Sequence, residues 1–165
     1  EIISFGGGNP ASETFPVVKL KEISDDIFNN EPNSVLEYGI TEGDNDFKEE
    51  AIKFLSRHGN IVNDYDGVMV TSGSQQIMDF MAKCLCDEGD VVVCENPSFL
   101  GALNAFKSNG VKLVGVDMDD DGINIAKLEE ALKMPKKPKF IYLIPNFQNP
   151  TGITTSLEKR KYGNS

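Results

Sequence analysis

The sequence predicts an α/β fold with a mostly parallel sheet flanked by helices. Two observations carry that prediction. First, from Val68 onward short apolar runs alternate with stretches of helical spacing. The runs are Val68–Thr71, Val91–Glu95, Val111–Val116 and Lys139–Ile144, and the helical stretches are Ser74–Asp87, Ser98–Lys107 and Leu128–Leu132. Strand, helix, strand at this spacing implies crossover units and parallel pairing. Second, Val91-Val92-Val93-Cys94 and Phe140-Ile141-Tyr142-Leu143-Ile144 are apolar at every position, which fits strands covered on both faces.

Taken in order, the chain opens with an irregular stretch over residues 2–16. Gly6-Gly7-Gly8-Asn9-Pro10 cannot be a helix or a regular central strand. It follows an apolar Ile2-Ile3-Ser4-Phe5, so it reads as an ordered loop that lets backbone come close to something. Val17, Leu20, Ile23, Ile27 and Phe28 recur at helix spacing. Leu36 to Gly43 is a turn-rich loop with one aromatic, Tyr38. Asp44 is placed to cap the next helix, whose apolar face is Phe47, Ala51, Phe54 and Leu55, and Gly59 is placed to end it. The Ser74–Asp87 stretch is apolar almost all round, which predicts a deeply packed helix. Glu88-Gly89-Asp90 and Asn109-Gly110 read as turns.

The bulk numbers exclude several classes. At 165 residues the chain can bury a core of its own. A net charge of −10 argues against nucleic acid, whose phosphates call for clustered Lys and Arg. Lys136, Lys137 and Lys139 form the densest basic run and read as a solvated loop. No apolar run approaches the ~18–20 residues of a membrane span. Cys84, Cys86 and Cys94 lack metal-ligand spacing, and the single His58 could supply one ligand at most. The cysteines read as reduced core residues of a cytoplasmic protein, with no metal expected. The chain starts as if already inside a domain and ends without a closing element, so a fragment is expected.

In an open parallel sheet, ligands bind beyond the carboxyl ends of the strands. Thr71-Ser72-Gly73-Ser74, Asn96-Pro97-Ser98-Phe99 and Pro145 to Gly152 all fall at such ends. The first opens a helix, where unpaired N–H groups and the helix dipole favour an anion. An ordinary turn with a Ser cap is the plainer reading of it. Phe99 offers a flat apolar face, or else fills the core. Asn149 can donate from its amide, or else simply makes an Asn-Pro turn. Together these residues describe a site for a flat, polar, phosphorylated heterocycle.

Asn149-Pro150-Thr151-Gly152 resembles the NPTG segment of fold-type I pyridoxal-phosphate aminotransferases. Four further segments fall in the same order. Gly7-Gly8-Asn9-Pro10 is similar to their GG-x-P loop, and Tyr38-Gly39 with Thr41-Glu42-Gly43 to their YG-x-TEG loop. Gly73-Ser74-Gln75-Gln76 is similar to their phosphate turn, and Glu95-Asn96-Pro97-Ser98-Phe99 to their E-x-P-x-[YF] segment. The likeness covers about the whole chain and is closest to the class I/II subgroup of 2-aminoadipate and kynurenine aminotransferases.

The resemblance implies pyridoxal 5'-phosphate as cofactor, amino acids and 2-oxo acids as substrates, and a homodimer. It assigns the cofactor phosphate to Ser74 and Gln75, stacking on the pyridine ring to Phe99, and a hydrogen bond to the ring's phenolic oxygen to Asn149. Tyr38 would reach the cofactor of a neighbouring subunit, and Gly8 and Asn9 would lie near the substrate carboxylate. Residues 1–30 would be an arm and helix contributing to the small domain and dimer interface. Residues 31–165 would be the N-terminal part of an incomplete cofactor-binding large domain.

The departures are equally plain. No segment matches the family's Schiff-base lysine, its aspartate facing the pyridine nitrogen, or its carboxylate-gripping arginine. Arg57 and Arg160 are not placed for that task. Ser156-Leu157-Glu158-Lys159 has S-x-x-K spacing, but at a helix start it reads as a cap. The chain alone is therefore expected not to transaminate. Two other functions fit the same residues. One is a cofactor-binding effector domain of a helix-turn-helix transcriptional regulator. The other is a non-catalytic anion-binding module.

Overall fold

The computed structural model describes residues 8, 10–59, 63 and 65–162. The chain forms two compact units, Glu1–Val70 and Thr71–Ser165.

The first unit is helical. Helix α1 (Val17–Asn30) carries the expected apolar stripe, yet none of its residues is buried. Helix α2 (Pro32–Leu36) begins on a proline, whose fixed φ and missing N–H suit a first helical position. Helix α3 (Asn45–Arg57) starts as the sequence predicts: the Asp44 side chain accepts from the Phe47 N–H at 2.9 Å. Gly59, with φ +83°, follows its end. Between α2 and α3 the loop is pinned at Gly43. Its φ is +101°, and a Cβ there would stand 2.4 Å from Val70 Cγ2. The Val70 N–H donates to the Glu42 carbonyl at 2.9 Å beside it. Only glycine satisfies both the backbone and the space.

The second unit is the α/β part. Its described elements are α4 (Gly73–Leu85), β1 (Val91–Asn96), α5 (Leu100–Ser108), β2 (Lys112–Asp119), β3 (Gly122–Ile123), α6 (Ile125–Leu132), β4 (Phe140–Tyr142) and α7 (Leu157–Tyr162). The strand order is β3-β2-β1-β4. Strand β1 pairs parallel with β2, from Val91↔Lys112 to Asn96↔Asp117. It also pairs parallel with β4, from Val92↔Phe140 to Cys94↔Tyr142. The short β3 turns back antiparallel on β2.

Alternation along β1 builds two cores. Val92 faces Ala82, Ala102, Phe106 and Val111, the side of α4 and α5. Val93 faces Val116, Ile123, Leu128 and Ala131, the side of α6. The start of β1 is anchored by Asp90, which accepts from the Asp87 N–H at 2.9 Å and pairs with Lys136 at 2.9 Å and Lys139 at 3.1 Å. The basic run is an exposed loop, as the sequence predicts, and two of its lysines, Lys136 and Lys139, tie it to the sheet through this carboxylate.

Three expectations need correction. Val68–Thr71 is not a strand, and Met69 and Val70 are 50% and 39% exposed. A strand exists only where a neighbour completes its ladder, and the ladder partners of β1 are β2 and β4. Helix α4 is not deeply packed: Ala82 is its one buried residue, while Ile77, Met81 and Leu85 are 39–48% exposed. It rests one face on α5 and the sheet and leaves the others open. The cysteines are unpaired, but only Cys94 is buried; Cys84 is exposed, and Cys86 lies past the end of α4. Lys159 N–H reaches Ser156 Oγ at 3.4 Å, so the cap reading of that segment stands.

Candidate functional site

Strand β4 and the segment beyond it, the segment that follows β1, and the N-terminal half of α4 border one cavity of about 540 Å³. Ser74, Phe99 and Asn149 all line it, over a floor that includes Met78, Phe106 and Tyr142. Three residues singled out from separate stretches of sequence therefore share one space.

The α4 N-terminus is built from local chemistry. The Gly73 N–H turns back to the Thr71 carbonyl at 2.8 Å. The Ser72 N–H donates to Gln76 Oε1 at 2.6 Å, so that amide serves the cap. The N–H groups of Ser74 and Gln75 lie in the first turn, where no carbonyl of the helix can reach them. They and the Ser74 hydroxyl are the donors available to an anion.

The Gln75 side chain is engaged within the protein, while its backbone N–H stays in the first turn. Its Nε2 donates to the Gly101 carbonyl at 2.9 Å, tying α4 to the start of α5. This contact exposes a residue that sequence reasoning missed. A Cβ on Gly101 would stand 2.5 Å from Phe99 Cε1 and Cζ and 2.6 Å from Gln75 Oε1. Glycine lets the Phe99 ring fold over the helix start and face the cavity. The only sequence signal was a glycine near the beginning of a helical pattern.

The Asn149 turn is held more tightly than its Asn-Pro composition suggests. Gln148 is 1% exposed. Its Nε2 donates to Glu95 Oε2 at 3.2 Å and to the Pro97 carbonyl at 2.8 Å. Its Oε1 accepts from the Thr151 N–H at 3.0 Å and Oγ1 at 2.7 Å. Glu95 is 2% exposed and also accepts from the Ile144 N–H at 3.1 Å. Burial pushes the Glu95 carboxyl above its ordinary pKa, and the Gln148 and Ile144 donors oppose that push. A carboxylate ending an apolar strand was the signal for this network.

Arg160 completes the frame. It donates to the Thr155 and Pro145 carbonyls at 2.8 Å each and to Asn146 Oδ1 at 2.6 Å. It is a brace for the turn. No lysine is among the described residues lining the cavity. Lys159 lies between Asp119 and Asp121 at 2.7 Å each. Burial works against its charge, but the two carboxylates outweigh it and hold its pKa above the usual lysine value.

Tyr38 belongs to the first unit and is 99% exposed. Gly8 is exposed as well, and Asn9 lies outside the described residues.

The family model described as aminotransferase class I and II matches residues 1–161. Aromatic-amino-acid aminotransferase 1 of Thermococcus litoralis is 38% identical over 165 residues, covering 98% of this chain and 40% of that protein. The structure of Pyrococcus horikoshii kynurenine aminotransferase superposes with a TM-score of 0.89 at 38% identity, over 94% of this chain and 39% of that one. An α-aminoadipate aminotransferase from Thermus thermophilus, solved with N-(5'-phosphopyridoxyl)-L-leucine, gives 0.84 at 36% identity over 96% of this chain and 39% of its own. A more distant match, 27% identical over 164 residues, is the uncharacterized HTH-type transcriptional regulator YdfD of Bacillus subtilis. The chain spans about two fifths of the length of the first relatives it matches.

Proposed function

The chain belongs to the aminotransferase class I and II family, and from that premise we propose that it forms the N-terminal, cofactor-holding part of a pyridoxal-phosphate-dependent aminotransferase. The whole protein would move an amino group from an amino acid to a 2-oxo acid. The observation that carries this reading is the single cavity shared by Ser74, Phe99 and Asn149.

The residues fit the group. A phosphate suits the free N–H groups and hydroxyl at the start of α4, where the helix dipole adds to the attraction. The Phe99 ring, held over Gly101, offers a face for a flat heterocycle, an arrangement worth about 1 kcal/mol beyond area burial. Asn149 can donate from its amide to an oxygen on that heterocycle. Pyridoxal phosphate supplies the electron sink that carbanion chemistry at an amino acid requires. Ser74, Gln75, Phe99 and Asn149 would bind and orient it. The amine that would hold the cofactor covalently and move the proton is not offered by this cavity, so the isolated chain is expected to bind without turning over.

Residues 1–30 are proposed as the arm and helix at the small domain and dimer interface, and residues 31–165 as the start of the large domain. Tyr38, exposed as it is, is available to the cofactor of a second copy. Gly8 and Asn9 are proposed near the substrate carboxylate, and a cytoplasmic homodimer is the proposed state. Two relatives named as aminotransferases at 36–38% identity favour the enzyme over the regulator, whose named match is more distant.

The test is cofactor titration of the full-length protein, read from the visible absorption of bound pyridoxal phosphate. Ser74→Ala and Asn149→Ala should each weaken binding by about tenfold, the effect of losing one hydrogen bond to a charged group. Unchanged binding in both variants would favour a plain anion-binding module instead. Turnover of an amino acid with a 2-oxo acid by the wild type would separate enzyme from regulator.

A further inference from the structure

We infer that Gln148 is a positioning residue that sets the relation between Asn149 and Phe99 through one buried amide. The inference rests on the cofactor reading above. It concerns a residue that touches neither the cavity nor its contents.

The side chain of Gln148 spans two strand ends. Through Nε2 it holds the end of β1, at Glu95 Oε2 and the Pro97 carbonyl. Through Oε1 it holds the turn that follows β4, at the Thr151 N–H and Oγ1. Its backbone closes the same turn, with the Gln148 N–H on the Ile153 carbonyl at 2.8 Å and the Gly152 N–H on the Gln148 carbonyl at 2.6 Å. Phe99 lies two residues beyond Pro97, and Asn149 is the next residue after Gln148. A primary amide has two donor hydrogens and one oxygen with two lone pairs. Here all of that capacity is used, at 1% exposure, so the amide has one satisfied orientation.

Glu95 explains why an amide is required. Its buried carboxylate needs donors, and Gln148 Nε2 and the Ile144 N–H both serve Oε2. A carboxylate at position 148 would oppose Glu95 and leave the Pro97 carbonyl without its donor. An apolar side chain would strand Glu95, Pro97 and Thr151 together. Either change frees the turn that aims Asn149.

The experiment uses the full-length protein with pyridoxal 5'-phosphate as the probe. Gln148→Met and Gln148→Glu are compared with Asn149→Ala. Two quantities are read: the dissociation constant, and the pH midpoint at which the bound cofactor's visible band titrates. A donor at the phenolic oxygen favours its ionised form, so losing that donor raises the midpoint. Both Gln148 variants should raise it, as Asn149→Ala does, and weaken binding by roughly tenfold. Asn149→Ala added to Gln148→Met should shift the midpoint little further, because both act through one donor. Thr151→Val, which removes one donor to Oε1 and is the milder change if the others fold poorly, should move the midpoint in the same direction by less.

A wild-type midpoint in the Gln148 variants would overturn the positioning role, as would full additivity with Asn149→Ala. If the wild type itself bound no pyridoxal phosphate, the cofactor reading would fall first and this inference with it.

Discussion

At the scale of single residues, Gly101 makes the sharpest prediction. Gly101→Ala would put a methyl carbon where the Phe99 ring and Gln75 Oε1 already stand. Overpacking of this kind costs about 1–3 kcal/mol. The ring is the movable partner, so it should swing off the helix start and open the cavity wall. Urea unfolding should register the modest stability loss. Titration with pyridoxal phosphate should register a larger, separate loss of affinity, and unchanged affinity would mean that Phe99 does not form the wall. Residues of this kind were only partly legible. Phe99 and Asn149 could be picked out because each follows a strand end, and Ser74 because it opens a helix after a small-residue turn. Gly101 and Gln148 act through close approach and buried hydrogen bonds, which depend on what the chain brings beside them. Arg160 resembled any exposed cation until its three acceptors were seen.

At the scale of elements, α5 holds the sheet face that carries the site. Phe106 is 1% exposed and meets Phe140 and Tyr142 edge to face, at centroid distances of 5.4 and 5.5 Å. Phe106→Ala should destabilise the chain by about 3–5 kcal/mol, measured by chemical denaturation. Phe106→Leu, which refills much of the volume, should cost clearly less; equal losses would assign the effect to the aromatic contacts rather than to the cavity. Element types were readable wherever the signal is local. Asp44 capped the helix it was expected to cap, and Asn109-Gly110 ended α5. The Val68–Thr71 segment shows the limit. Its β-branched composition is a strand preference, but strand formation is a pairwise property that no single segment encodes. Likewise, apolar residues all round α4 announced burial, and burial requires a second surface.

At the scale of the whole molecule, two buried carboxylates pull the pH dependence of stability in opposite directions. Asp90 is held far below the usual carboxylate range by the Asp87 N–H and by Lys136 and Lys139. Its stabilisation is present above the unfolded-state value and is lost as pH falls. Glu95 is held above its ordinary value by burial. Between the unfolded value, ~4.3, and its raised folded value, the native state keeps a proton that the unfolded chain has released. Stability from this group therefore falls as pH rises through that window. Glu95→Gln keeps an oxygen for Ile144 and Gln148 and removes the titration. The variant should gain on the wild type as pH rises from the unfolded-state value, ~4.3, through the raised folded-state value, read from urea midpoints at each pH. A constant difference across that range would show that Glu95 does not titrate there. The overall architecture was the most legible level, because alternating strand and helix patterns constrain topology to parallel crossovers. The antiparallel β3 escaped notice, since two residues carry no periodicity.

The frame around Asn149 also bears on motion. Connections between strands and helices usually exchange their amide hydrogens quickly, because their N–H groups face water. Here the N–H groups of Ile144, Gln148, Thr151, Gly152 and Thr155 are all engaged, several of them by Glu95, Gln148 and the turn's own carbonyls. The Gln148 side chain also ties this turn to the end of β1. The segment is a loop by shape, but its amides should exchange as slowly as those of the sheet. Whatever else in the protein moves, this turn should stay still.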